Sequence, residues 1–405
     1  MTVLTEDWTP RARQLADQLT AAGKLISAAW RDAVCAVPRH ELVPEVFRQD
    51  RIDQYDQTWR QLDITTVAGR QEWLDQVYST AALITALDRT SKPPRLLSTS
   101  SMPGLMTRML ETLDIRDGNR VLEIGTGTGY NAALLCHRLG DTHVFSVDIE
   151  PDLIALARHR LARLGYHPTL VATDGAAGLA EHAPFDRIIA TCSVPAVPWE
   201  WVTQTRPGGV ILTDLKTSLM AGSLVRLTRY PDRAEGHFDR TYAAFMGLRH
   251  HAAGQGQAFL PRPRRQRGSE PEHRTTTLDP RTPWTSLIVW FLASFDLGSN
   301  ITLGYTGFTD GQPTATSITI EDGSWAQVTL ADDHGAHQVT EAGPTRVWRT
   351  LETAHARWTE LDHPGWDRFG LTVTEHHQHI WLDTPTNQHT WPLPPSPAAK
   401  AMTTS

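Results

Sequence analysis

Val121-Leu122-Glu123-Ile124-Gly125-Thr126-Gly127-Thr128-Gly129-Tyr130 sets three glycines at alternate positions between an apolar run and a helical one. Glycine suits such a place because the backbone must turn sharply and let a bulky ligand come close. The spacing is G-x-G-x-G and not the G-x-G-x-x-G of dinucleotide folds, so a pyrophosphate seated on a helix N-terminus is not the best reading. About 20 residues on, Asp148 ends the next apolar run, where a carboxylate can accept both hydroxyls of a ribose. Thr173-Asp174-Gly175 sets a further acid after a third run. Each feature has a plain alternative: a tight turn for the glycines, an acid at a helix N-terminus for Asp148. Together, at the carboxyl ends of successive strands, they point to a nucleoside-type cofactor.

The elements that must carry these residues follow from periodicity. Val121–Ile124, Val144–Val147, Leu170–Ala172 and Arg187–Ala190 read as buried strands. Ala132–Leu139 and a segment from Pro151 to Gly165 read as helices, the second with proline in its first turn and glycine past its end. Pro207-Gly208-Gly209 reads as a turn feeding a strand at Val210–Thr213. This alternation predicts a mostly parallel, doubly wound α/β sheet. Upstream, the first ~90 residues read as helical from apolar recurrence at i, i+3 and i+4, with two helices ending near Val37-Pro38. Ala221–Leu248 reads as a hairpin turning near Gly236.

At 405 residues the chain is long for one core, and two domains are expected. The boundaries read as residues 1–250 for the α/β domain with its N-terminal helices, a Gly/Pro/Arg-rich linker at 251–283, a small α+β auxiliary domain at 284–393, and a disordered tail at 394–405. Eight of the 14 tryptophans lie beyond residue 283 and read most simply as a small core. Strands are expected there at Ser317–Ile320, Ala326–Leu330, Leu371–Thr374 and His379–Leu382, and a helix at Thr345–Leu361. The net charge of -7 argues against a general nucleic-acid or membrane-surface binder. No apolar run reaches the ~20 residues of a membrane helix, and the N-terminus lacks a signal-peptide pattern. Three scattered cysteines offer neither a disulfide framework nor a zinc knuckle. A cytoplasmic protein is expected.

The segment from about Val37 to Leu215 resembles the protein-L-isoaspartate O-methyltransferases. The resemblance rests on Val37-Pro38-Arg39-His40 with Val43-Pro44, Ser101-Met102-Pro103, Val121–Tyr130, Phe185–Thr191 and Arg206-Pro207-Gly208-Gly209, in that order. It implies a class I (Rossmann-like) methyltransferase fold with S-adenosyl-L-methionine as cofactor and S-adenosyl-L-homocysteine as product. The cofactor residues implied are Glu123, Gly125, Thr126, Gly127, Gly129, Asp148, Ile149, Asp174 and Gly175. Ser101 matches the family's serine beside the methyl donor.

Methyl transfer from a sulfonium to a carboxylate needs alignment and a dry pocket, since the acceptor is already ionised. Fixed hydroxyls can hold the anion without quenching it. The cluster Thr99, Ser100 and Ser101 suits that role, and by residue type it equally suits a helix cap before Pro103. Arg39 and His40 are candidates for holding substrate, since arginine binds carboxylates bidentately, and a surface ion pair is the plain alternative. Cys192 has no partner histidine and reads as inert. The histidines His334, His337, His376, His377, His379 and His389 read as a solvated face without zinc spacing; no metal is expected.

Three departures separate this chain from the repair enzymes, which are usually a single domain. It carries the C-terminal extension, extra sequence between Pro44 and Ser101, and an altered serine element, Ser98-Thr99-Ser100-Ser101-Met102-Pro103. This longer form resembles methyltransferases of ribosomally made peptides, of graspetide and lanthipeptide type, in which an aspartyl ester collapses to an aspartimide. Asp322–Trp325, Gly343-Pro344 and Arg368–Val373 strengthen that likeness. The leading expectation is therefore a carboxyl O-methyltransferase acting on an aspartyl residue of a ribosomal precursor peptide, with the auxiliary domain recognising that peptide. The alternatives are isoaspartate repair and a non-catalytic cofactor-binding scaffold. Nucleic acid and membrane are not expected partners.

Overall fold

A computed structural model describes residues 7–52, 57–90, 94–250, 270–331 and 334–394. Chain contacts divide into two compact units, residues 1–191 with 200–212, and residues 192–199 with 213–405. The division falls elsewhere than at the expected 250/284 boundary, because the strands ending at residues 194 and 215 run from the first unit into the second.

The first unit opens with helices α1 (Thr9–Ala21), α2 (Ala28–Ala36) and α3 (Arg39–Leu42). The Ser27 hydroxyl caps α2 by accepting from the Trp30 amide. Next come strands β1 (Phe47–Ile52) and β2 (Gln57–Gln61), helix α4 (Val67–Val77), and strands β3 (Leu83–Asp88) and β4 (Arg95–Ser100). These four strands form a sheet in the order β2-β1-β3-β4. The expectation of a helical first ~90 residues is corrected here: the two leading helices are present, but a β-sheet fills the stretch between Pro44 and Ser101. Strand β2 is short and polar (Gln-Thr-Trp-Arg-Gln) with no period-2 pattern, and the apolar run of β3 (Leu-Ile-Thr-Ala-Leu-Asp) does not alternate either.

Helix α5 (Pro103–Thr112) leads into the α/β core: β5 (Val121–Ile124), α6 (Tyr130–Leu139), β6 (Val144–Asp148), α7 (Pro151–Arg163), β7 (Thr169–Ala172), β8 (Phe185–Val194), α8 (Trp199–Gln204) and β9 (Thr205–Leu215). Within this unit the strands lie in the order β9-β8-β5-β6-β7, with β5 parallel to β6 and β8, and β6 parallel to β7. Val121, Leu122, Val144, Val147, Ile188 and Ile189 are buried, as expected of a parallel sheet covered on both faces. The chain builds outward from β5 through β6 and β7, then returns to the other side of β5 as β8. That reversal opens a crevice at the carboxyl ends of β5 and β8, where open α/β sheets bind ligands.

The second unit contains β10 (Leu224–Arg229), β11 (Ala234–Phe238), β12 (Glu272–Thr276), α9 (Thr282–Thr285), α10 (Leu287–Leu297), β13 (Ile301–Thr309), β14 (Gln312–Ile320), β15 (Trp325–Thr329), β16 (His337–Ala342), α11 (Val347–Glu360), β17 (Phe369–Val373), β18 (Gln378–Leu382) and β19 (Thr390–Pro392). One set of strands runs β19-β18-β17-β11-β10 and a separate five-stranded sheet runs β12-β16-β15-β14-β13. Trp290, Trp348, Trp366, Trp381 and Trp391 are buried, so most of the C-terminal tryptophans are core. Gly236 is not at the hairpin turn; it lies within β11, paired with Leu227. Strand β12 falls inside the expected 251–283 linker, where its alternating burial matches a sheet edge. Residues 251–269 of that linker and 395–405 of the expected tail lie outside the described residues. No helix among the described residues is long and apolar enough to cross a membrane.

Candidate active site

The glycine loop runs between β5 and α6 with Gly125, Gly127 and Gly129 at φ of 99°, 52° and 87°. Two of them are demanded by close neighbours. A Cβ on Gly125 would lie 2.6 Å from Thr191 Oγ1, and one on Gly129 would press at 3.3 Å on Ala157 of α7. Thr191, at the crevice end of β8, donates its hydroxyl to the carbonyls of Gly125 (2.8 Å) and Ile124 (3.1 Å), tying the loop to the sheet. The Gly125 amide donates to Val147 O at 2.8 Å. Gly127 differs: a Cβ there would enter a gap facing Ser98 Oγ at 3.4 Å and the Thr99 carbonyl at 3.8 Å. Strand β4 therefore lays the serine element against the glycine loop.

Within that element the four hydroxyls differ. Ser98 accepts from Thr85 Oγ1 at 3.1 Å, and Ser100 accepts from Arg39 Nη2 at 2.9 Å. The hydroxyls of Thr99 and Ser101 bond to no described residue, and both side chains are half-buried. Half-buried hydroxyls without partners of their own, on the element that meets the glycine loop through Ser98 and the Thr99 carbonyl, are suited to hold an anion.

Asp148 sits at the end of β6 as expected, mostly buried. Its Oδ2 accepts from the Gly127 amide at 2.9 Å and its Oδ1 from the Glu150 amide at 3.2 Å. It thus closes the glycine loop and braces the entry to α7, with Ile149 half-buried beside it. Asp174 accepts from the Ala176 amide at 2.9 Å, which starts a short 3-10 turn at Gly175–Ala177. Gly175 is buried and its carbonyl accepts from Trp201 Nε1. The Thr126 hydroxyl pairs with Ser146 Oγ at 2.6 Å.

Three sequence expectations are corrected. Glu123 is fully buried, with Oε1 accepting from Asn131 Nδ2 (2.8 Å) and Oε2 from Ser146 Oγ (2.6 Å), so it supports the loop from within. Arg39 is 0% exposed; it donates to the Val77, Ser79 and Ser101 carbonyls and to Ser100, which leaves no surface on which to meet a substrate. His40 is buried among Trp8, Trp73 and Tyr78, its Nδ1 2.8 Å from the Tyr78 hydroxyl. Sequence reasoning did not single out Ser98, Thr191, Asn131 or Ser146. Thr191 was findable, since it is the polar residue at the carboxyl end of an apolar run; the other three are recognisable only through their contacts.

Burial lifts the Glu123 carboxyl to about 7, against the lowering effect of its Ser146 and Asn131 hydrogen bonds, with Asp148 adding to the rise. Between pH 4.5 and 7 the folded chain keeps a proton that the unfolded chain has released. The stability contribution of this carboxyl therefore falls as pH rises through that window. Glu123→Gln, which cannot ionise, is expected to gain on the wild type by on the order of 2–3 kcal/mol between pH 4.5 and 8. Denaturant melts of both proteins across that range check it; parallel curves would place the Glu123 pKa near its ordinary value.

The residues present fit a nucleoside bearing an ammonium group. The glycines make a cradle, and Asn131 Oδ1, in the first turn after the loop, is buried and has no hydrogen-bond partner. An unpaired buried acceptor of this kind is costly unless a ligand donor meets it.

The pattern of the protein-L-isoaspartate(D-aspartate) O-methyltransferase (PCMT) family matches residues 10–232, more than half of the chain. The chain belongs to this family. Among curated members, the protein-L-isoaspartate O-methyltransferase of Methanosarcina mazei is 30% identical over 192 residues, 47% of this chain and 65% of that protein. That of Methanothrix thermoacetophila is 41% identical over 113 residues, 27% of this chain and 54% of that protein. The Methanothermobacter thermautotrophicus protein is 29% identical over 54% of this chain and 85% of its own length. The chain thus spans about half to two thirds of the first two. A solved protein-L-isoaspartate O-methyltransferase structure is similar in fold, with a TM-score of 0.53 and 22% identity, covering 92% of this chain and all of that one. The PCMT fold is the class I methyltransferase fold expected from the sequence.

Proposed function

We propose that this PCMT-family chain is an S-adenosylmethionine-dependent O-methyltransferase that esterifies the carboxylate of an isoaspartyl residue in a peptide or protein. The observation that carries the reading is the serine element lying within 3.4 Å of the glycine loop's open position, with two hydroxyls of that element unpaired. The isoaspartyl acceptor takes the place of the ribosomal-precursor aspartate expected first. Its support is twofold: the relatives named above bear the isoaspartate name, and the fold likeness to a protein so named runs over both units. A C-terminal extension is therefore not by itself a mark of peptide tailoring.

S-adenosylmethionine held at the carboxyl ends of these strands would supply an electrophilic methyl group, with S-adenosylhomocysteine as the by-product. Gly125, Gly127 and Gly129 would allow it close backbone approach, and Asp148 and Asp174, at successive strand ends, are the carboxylates that would hold its ribose and adenine. Asn131 Oδ1 is the free acceptor for its amino group. The acceptor carboxylate is ionised at neutral pH, so no general base is required of the chain. Thr99 and Ser101 would hold the anion by O–H donation, and their partial burial would limit the water that otherwise solvates it.

An isoaspartyl peptide and its normal aspartyl twin, each incubated with the full chain and S-adenosylmethionine and weighed by mass spectrometry, test the reading. One added methyl on the isoaspartyl peptide alone is the expected result. Methylation confined to an aspartate of a ribosomal precursor would replace it with peptide tailoring. Cofactor binding without methylation of any carboxylate would leave a scaffold.

A further inference from the structure

The Arg39 guanidinium lies wholly inside the protein, and no described carboxylate pairs with it. It sits 5.2 Å from the centroid of Tyr130, the first residue of α6 after the glycine loop. Its Nε has no hydrogen-bond partner. A buried cation without a counter-ion is expensive, and methionine would fill the same space without that cost. Mere packing of α3 therefore does not account for an arginine here.

The chemistry of its contacts is directional. Guanidinium carries donors only, so Ser100 Oγ must accept from Nη2, and the Ser100 hydroxyl proton is left to be given elsewhere. No described residue receives it. A second bond from the same nitrogen, to the Ser101 carbonyl at 3.4 Å, holds the next residue of the element. A hydroxyl that accepts from a cation is also polarised into a better donor.

We propose that Arg39 is a positioning residue that, acting through Ser100, turns a hydroxyl proton toward the acceptor and makes the pocket selective for an anion. The acceptor carboxylate is then the counter-charge that the folded chain itself lacks. The inference rests on the carboxyl-methylation reading given above. Because the carboxylate's charge is partly spent in the transition state, a cation near the acceptor steadies the bound ground state at least as much, so its contribution belongs in acceptor KM and not in a raised kcat.

Arg39→Lys, Ser100→Ala and the double variant, made in the full chain, test it with an isoaspartyl peptide at saturating S-adenosylmethionine. S-adenosylhomocysteine titration confirms in each that the cofactor site is intact. Ser100→Ala is expected to raise acceptor KM about 10-fold with kcat within about threefold. Arg39→Lys, which keeps the charge and loses the fork, raises it less, and adds almost nothing in the Ser100→Ala background because both act through one bond. Equal Arg39→Lys effects in both backgrounds, or an unchanged KM in Ser100→Ala, would overturn the proposal while leaving carboxyl methylation standing. A wild type that methylates no carboxylate would remove both.

Discussion

Replacing Gly127 with alanine is expected to weaken S-adenosylhomocysteine binding by about 10- to 100-fold while leaving the chain folded. Gly127 has a φ of 52°, so an L-residue there costs about 1–2 kcal/mol of backbone strain. The methyl itself meets nothing closer than Ser98 Oγ at 3.4 Å, an ordinary contact, so the fold has room for it. The room it takes is the space between the glycine loop and β4, which on the proposed reading the cofactor would use. Gly125→Ala provides the contrast: its Cβ would lie 2.6 Å from Thr191 Oγ1, and the hydroxyl that ties the loop to the sheet would be displaced. Calorimetric titration with S-adenosylhomocysteine, paired with a thermal melt, separates the two. Binding by Gly127→Ala within about twofold of wild type would mean that the ligand does not use that gap.

The second large effect is expected in the second unit, at a buried ion pair. In the second unit the Asp214 side chain is fully buried and the Lys216 side chain 11% exposed. Lys216 Nζ donates to Asp214 Oδ1 at 2.8 Å and to the carbonyls of Gly222 and Ala243, and lies 4.6 Å from the Tyr242 ring centroid. The other carboxylate oxygen accepts from the Phe245 amide at 2.9 Å. Burial pushes Asp214 up and Lys216 down, and their mutual attraction opposes both shifts. Lys216→Met strands the buried carboxylate and should destabilise the second unit by about 3–5 kcal/mol. Asp214→Asn in the same chain removes the stranded charge, keeps the Phe245 bond, and should restore at least half of the loss. Urea melts followed by tryptophan fluorescence give both numbers. A Lys216→Met protein as stable as wild type would show that the pair is not charged in the fold.

How far the sequence could be read depended on how local the signal was. Strands β5 and β6 are short runs buried on both faces, β7 is a short, half-buried run and β8 a longer, mostly buried one, so apolar runs alone located them to within a few residues. Strands β2 and β4 carry Gln, Thr, Arg and Ser with no alternation, and their pairing is set by neighbours in the sheet and not by their own pattern. Strand β12 hid within a Gly/Pro/Arg-rich stretch for the same reason. At the site, the glycine loop and Asp148 announced themselves through spacing. The depth of Arg39 did not, because its partners come from Val77, Ser79 and Ser100, each more than 35 residues along the chain, and only folding joins them. Glu123 shows the converse: at a motif position where a ligand contact is expected, the carboxyl is engaged by Asn131 and Ser146, contacts that spacing alone does not reveal.

Strand β11 pairs antiparallel with β17, Ala234 opposite Val373 and His237 opposite Gly370. During synthesis this has a temporal meaning. The ribosome must deliver some 130 to 140 further residues after β11 before its neighbour exists, a delay of roughly 7–30 s at ordinary translation rates. Through that interval the outer side of β11 presents an open ladder of amides and carbonyls, the form of nascent chain that invites wrong pairing. A pause, a premature stop or a protease nick anywhere between residues 239 and 368 would therefore expose a sheet edge and not simply shed an appendage. Chaperone demand for this protein should peak while that stretch is being made.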